Sequence, residues 1–264
     1  MNDGTRSFPW KPFGAELIGT ALLVTVGLSI VIFDFAQGSP LAHWLPSEAW
    51  RRALTGLLFG TTGASIALSP LGKESGAHIN PVVSLAFWLM GRMKARHAFG
   101  YVVCQLVGAL IGALPLLLWG AMGRSVAFGA TQPGAAYGTI AALLGETITT
   151  FALVFGLFFF LRHRSLRAFT PALLPPLYAI MVWLEAPISG TSTNPARSLG
   201  PAAIAGAWHG WWIYWIGPLI GTLLAIAAYR LAGWEREMIE VAKIYHFDHD
   251  PHGLFHFRVP KRPI

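Results

Sequence analysis

Six apolar runs, at about 13–33, 53–71, 98–119, 139–161, 171–187 and 211–232, constrain this chain more than any other feature. A hydrocarbon core of ~30 Å takes about 20 consecutive apolar residues as a helix. Backbone polar groups in lipid must also bond among themselves. The runs therefore predict an all-α membrane protein with six transmembrane helices. With 54% hydrophobic and 12% charged residues, the chain has too little polar material to cover a soluble globule of its size. The first run holds Glu16 and lacks a small-residue cleavage site, so it reads as a retained helix and not a signal peptide.

The formal net charge of +7 raises the question of a nucleic-acid partner, but the basic residues cluster at the ends of the runs and form no stripe. No nucleic acid is expected. Arg51, Arg52, Arg124 and Arg197 fall in intervals on one side, and the remaining Lys and Arg fall on the other, with both termini. The positive-inside rule makes the termini cytoplasmic in a multi-pass protein of the cell membrane. Cys104 is the sole cysteine, which excludes an intramolecular disulfide and a cysteine metal cluster. No metal or other cofactor is expected.

An internal repeat organises the runs. "GAELIGTALLVTVG" from 14 is echoed by "LGETITTFALVFG" from 144, matching Glu16 to Glu146. "SGAHINPVVSLA" from 75 is echoed by "GTSTNPARSLGPA" from 190, matching Asn80 to Asn194. "YVVCQLVGALIGA" from 101 is echoed by "YWIGPLIGTLLA" from 214. With three spans per half, the second copy enters the bilayer from the opposite side, so the repeat is inverted.

Each repeat carries Asn-Pro between its second and third spans. Proline suits the first helical position and asparagine is a favoured N-cap, so both motifs predict a helix start. The helices, about 81–90 and 195–204, are too short to span. They predict two re-entrant half-helices meeting near the midplane with their positive dipole ends together. Irregular lead-ins, 75–79 and 189–193, are tolerated at that depth only where they line a cavity or are buried in protein.

The pair Asn80-Pro81-Val82 and Asn194-Pro195-Ala196, with Arg197 following, Glu16 matching Glu146, and "SGAH" at 75–78, resembles the aquaporins of the major intrinsic protein family. The resemblance covers about residues 13–232. It implies six tilted helices and two half-helices around one pore per subunit, four subunits to a homotetramer, embedded in membrane lipid. The implied organisation is a cytoplasmic segment 1–12, a channel domain 13–232 with repeats at about 13–119 and 139–232, and a cytoplasmic tail 233–264.

It further implies that Asn80 and Asn194 offer N–H donors to solute oxygens. Glu16 and Glu146 would hold the re-entrant loops, with His78 a hydrogen-bonded loop residue. Three filter positions follow by ungapped spacing: Val182, Thr191 and Arg197. The fourth falls in "LFG" at 58–60, on Phe59 with Gly60 the alternative. Water-selective relatives carry histidine where this chain has Val182, whereas Ser198, Ala202, Tyr214 and Trp215 match the water-channel subgroup. The expected function is a passive channel for water, with glycerol, urea or hydrogen peroxide as further candidates, excluding ions and protons.

A secondary transporter on an inverted repeat is the alternative. It would place coupling carboxylates at the midplane, and the deep carboxylates, Glu16 and Glu146, match scaffold positions. An enzyme is not expected: there is no HExxH, serine–histidine arrangement or carboxylate pair at the site. Gly108 with Gly112 and Gly217 with Gly221 predict close helix crossings within one subunit. In the tail, His246, His249, His252 and His256 are interrupted by Pro251 and Gly253, so no metal site is expected there.

Overall fold

The computed structural model describes residues 9–234 and 243–244. The tail histidines lie outside them. The described helices are α1 (Trp10–Phe35), α2 (Leu41–Trp44), α3 (Glu48–Leu68), α4 (Pro70–Ser75), α5 (Pro81–Leu89), α6 (Ala95–Ala113), α7 (Gly120–Ser125), α8 (Gly138–Arg162), α9 (Thr170–Ser189), α10 (Pro195–Ala205) and α11 (Ile213–Leu231). There is no strand among the described residues.

Prolines set the ends that hydropathy misjudges. Hydropathy carries the second run to 71, but Ser69 is extended at ψ 170 because Pro70 disfavours a helical residue before it. Ser69 then caps α4, its Oγ accepting from the Leu71 N–H at 3.2 Å. Hydropathy likewise carries the third run to 119 as regular helix. Pro115 lacks an N–H and crowds the preceding turn, and the chain tightens into a 3-10 segment over Leu114–Trp119.

Glycines set how closely the helices cross. A side chain at Gly108 or Gly112 on α6 would strike the α1 carbonyls of Leu17 and Ala21. Gly217 and Gly221 on α11 sit likewise against α8, at Glu146 and the Thr147 carbonyl. These are the same crossing in the two repeats, inside one chain. The repeats are joined where α3 crosses α9, with Gly56 against the Tyr178 carbonyl and Gly60 against that of Leu174.

The outward faces are apolar too. Leu118 is 91% exposed, and Ile18, Leu22, Leu110, Ile148 and Leu224 also face out. Such a surface suits lipid, where the interior can hold the polar groups. Trp10, Trp44, Trp50 and Trp208 are exposed near helix ends, as membrane-interface tryptophans are. Among the described residues, five stretches are long and apolar enough to cross a membrane. α3 is more polar, but its 21 residues reach about 32 Å at 1.5 Å per residue, enough for a sixth crossing.

Candidate functional site

Both half-helices are entered through the same strained backbone. Ser75 and Ser189 end their helices, so each irregular lead-in starts one residue later than its apolar pattern implies. Gly76 (φ 88) and Gly190 (φ 89) cap them in the left-handed region. Ala77 (φ 51), Ile79 (φ 41), Thr191 (φ 51) and Thr193 (φ 53) then occupy that region without being glycine. Each such residue costs on the order of 1–3 kcal/mol, so surrounding bonds must hold it.

Two buried carboxylates do so. Glu16 accepts from the N–H groups of His78 (2.9 Å) and Ile79 (2.7 Å), from Ser75 Oγ and from Gln105 Nε2. Glu146 accepts from the N–H groups of Ser192 (2.7 Å) and Thr193 (2.8 Å) and from Ser189 Oγ. Tyr101 donates to the Ser75 carbonyl and Tyr214 to that of Ser189. His78 Nδ1 pairs with Ser84 Oγ at 3.1 Å, where the second repeat pairs Ser192 Oγ with Ser198 Oγ at 2.5 Å.

The asparagines then join the repeats. Asn80 Oδ1 accepts from the Val82 N–H, and Asn194 Oδ1 from those of Ala196 and Arg197. Pro81 and Pro195 occupy the first helical positions. With the oxygens committed to capping, the nitrogens point onward. Asn80 Nδ2 donates to the Thr193 carbonyl and Asn194 Nδ2 to the Ile79 carbonyl, each at 2.9 Å. An amide nitrogen has two hydrogens, so one donor per asparagine is left over. Both asparagines line a cavity of about 40 Å³, above the ~10–15 Å³ that a single water needs.

On the far side of this junction Arg197 is buried, its Nη1 donating to the Gly129 carbonyl at 2.8 Å and its guanidinium carbon 6.0 Å from the centre of the Phe59 ring. Gly60 packs on the α9 backbone and lines the same cavity as Phe59. The Phe59 ring lies 5.6 Å from that of Tyr178. Val182, half-buried, is one turn beyond Tyr178 on the same face of α9. Thr191 gives its hydroxyl hydrogen to Glu185 Oε2. Its hydroxyl hydrogen is therefore engaged, so the hydroxyl is not a free donor.

The sequence model of one family, described as Major intrinsic protein, matches residues 4–229. The chain belongs to the major intrinsic protein family. It is accordingly a passive channel and not an enzyme. The Lens fiber major intrinsic protein of Gallus gallus is 32% identical over 240 residues, covering 88% of this chain and 85% of that protein. Aquaporin TIP4-4 of Zea mays is 34% identical over 221 residues, covering 81% and 83%. The X-ray structure of the aquaglyceroporin from Plasmodium falciparum superposes with a TM-score of 0.69 over 84% of this chain and 96% of that one. At 18% identity this last likeness concerns the fold alone.

The channel's interior holds polar groups that sequence reasoning missed. Besides Glu16 and Glu146, Asp34 and Glu185 are buried carboxylates as well. Asp34 accepts from the Thr55 hydroxyl where α1 meets α3. An ionisable residue inside an apolar run was signal enough for Glu185, in "VWLEAPIS". Nothing in "AFGA" announced that the Gly129 carbonyl would hold Arg197.

Proposed function

We propose that the chain forms a pore for water, and for small neutral solutes such as glycerol, urea or hydrogen peroxide, from which ions and protons are excluded. The observation that carries this reading is the pair of asparagine amides. Each is locked by capping on one side and by the opposite repeat on the other, and each keeps one N–H for the cavity between two helix N-termini. Donors of this kind serve a neutral oxygen, whereas a cation there meets the positive ends of two dipoles. The pore motif is then Asn80, Pro81, Val82, Asn194, Pro195 and Ala196. Glu16, Glu146 and His78 support the loops.

The filter in this reading comprises Phe59, Val182, Thr191 and Arg197. Two walls are apolar, and a guanidinium supplies donors and repels cations. Valine is shorter than histidine and leaves the aperture wider, which favours solutes with a carbon edge. The channel domain would span 13–232 of a homotetramer in the cell membrane, in contact with lipid, with both termini cytoplasmic. The family argues against a coupled transporter, and Glu16 and Glu146, the deep carboxylates of the two repeats, are consumed by the loops.

The test is stopped-flow light scattering on proteoliposomes, run once with an impermeant osmolyte and once with glycerol. Faster shrinkage than in empty vesicles is expected in the first. A glycerol re-swelling phase in the second is expected of a wide filter. Shrinkage at the empty-vesicle rate would overturn the reading.

A further inference from the structure

The loop-holding device is largely duplicated in the two repeats, and among the parts without a duplicate is the pair Glu185–Thr191. Glu185 and Thr191 correspond, 114 residues earlier, to Leu71 and Ala77, which can form no side-chain hydrogen bond. Ala77 holds its left-handed conformation with an N–H bond to Ser75 Oγ at 3.1 Å, and Thr191 has the matching bond to Ser189 Oγ at 3.2 Å. The serine bond is thus common to both repeats, and Glu185 is an addition in the second. Yet a carboxylic side chain is placed inside a spanning helix, where it is costly. Glu185 is only 6% exposed, and its second oxygen, Oε1, has no hydrogen-bond partner among the described residues. That oxygen lies against Gly145, where any side chain would collide with it. The room for Glu185 is therefore provided by a glycine adjacent to Glu146.

We propose that Glu185 is a positioning residue for the filter: by accepting the Thr191 hydroxyl hydrogen it fixes that side chain and denies passing solutes a donor, leaving Arg197 the donor at that level. This rests on the channel reading above. The pair occurs only in the repeat whose loop leads to Arg197, as a selectivity role requires.

The test measures water and urea permeability in proteoliposomes for wild type, Glu185→Leu, Glu185→Gln, Thr191→Val and the double variant Glu185→Leu/Thr191→Val. Glutamine retains an acceptor oxygen and should keep the urea-to-water ratio within about twofold of wild type. Leucine should raise it at least about fivefold, and should add nothing in the Thr191→Val background. Thr191→Val removes the hydroxyl itself, frees no donor, and should keep the ratio within about twofold of wild type. Should the leucine variant fail to fold, Glu185→Ala frees the same hydroxyl and should raise the ratio alike. An unchanged ratio in the Glu185 variants that lack an acceptor, an equal change with glutamine, or a full leucine effect without the threonine hydroxyl overturns the proposal. Wild-type water flux at the empty-vesicle rate would instead fail the channel reading itself.

A separate observation concerns the opposite mouth. Ile244, far beyond α11 in sequence, is 4% exposed and lines the cavity that holds Asn80 and Asn194. Its N–H donates to the Gly76 carbonyl at 3.0 Å, and the buried Lys243 donates through Nζ to the Lys73 carbonyl at 3.0 Å. An apolar side chain thus forms part of the cavity wall there, and a backbone acceptor at the start of the re-entrant loop is taken. From this geometry we infer that Ile244 is a partial internal plug that narrows the pore without closing it. Water flux per channel should rise at least about threefold in a chain ended after Trp234 and in Ile244→Gly, with the urea-to-water ratio unchanged because the filter is elsewhere. Equal, non-zero flux in all three proteins overturns the plug alone. Flux at the empty-vesicle rate in all three overturns the channel reading and the plug with it.

Discussion

At the scale of single residues, the amide of Asn194 explains why substitution there should be more than the loss of a cap. Its oxygen holds two N–H groups of α10 and its nitrogen holds the Ile79 carbonyl. Aspartate preserves the first function and has no hydrogen for the second. Asn194→Asp is therefore expected to keep α10 capped, at a capping cost well below the ~1 kcal/mol of an alanine there. It should lower water permeability at least about fivefold, because a buried acceptor would face the Ile79 carbonyl. Stopped-flow shrinkage with a parallel thermal melt separates the two effects. Val182 yields the complementary prediction. Val182→His adds a ring and a polar tip near the apolar wall of Phe59, so the glycerol-to-water permeability ratio should fall while most water flow persists. Equal loss of both fluxes would place residue 182 outside the selective constriction.

At the scale of elements, helix starts were legible where a single residue type carries the physics. Asn-Pro announced α5 and α10 because capping and a fixed φ are local properties. Helix ends were less legible. Hydropathy carried the third run through Pro115 because leucines on both sides kept the average high, although the missing N–H ends the regular helix before it. The bonds between elements had no linear trace: Asn80 and Thr193 meet 113 residues apart, and only the inverted repeat hinted that the two motifs face each other. Crossings could be read from paired glycines, and they give a test of their own. Gly217→Leu forces side-chain atoms into Glu146, with overpacking expected to cost about 1–3 kcal/mol, and it displaces the carboxylate that holds Ser192 and Thr193. Gly14→Ala meets no atom within 4 Å of the added carbon; it should be neutral or stabilise by about 0.5–1 kcal/mol. Melting in detergent should therefore separate the two variants in opposite directions, and similar midpoints would mean that α8 and α11 cross more loosely than their glycine contacts require.

At the scale of the whole molecule, the question is what excludes ions from a path that passes water. Two helix N-termini meeting at the asparagines carry about half a positive charge each. At about 8 Å and an effective dielectric near 20, the pair opposes a monovalent cation by about 2 kcal/mol, roughly a 30-fold reduction. That alone is too small for a tight seal. Desolvation adds several kcal/mol for an ion stripped of its shell, even after relaxation of the surroundings, and the lining offers it few replacements: Ile79, Val83, Leu153 and Leu157 are apolar. Desolvation is therefore the main barrier at the cavity, with the dipoles and Arg197 adding to it. It follows that Arg197→Val should raise cation conductance by no more than about tenfold, since the apolar lining remains. Proton flux, followed with an internal pH dye under an imposed potential, should stay at the empty-vesicle rate in wild type while water flux rises with protein content. Proton conductance rising in step with water flux would mean that neither the dipole junction nor the dry lining acts as the barrier.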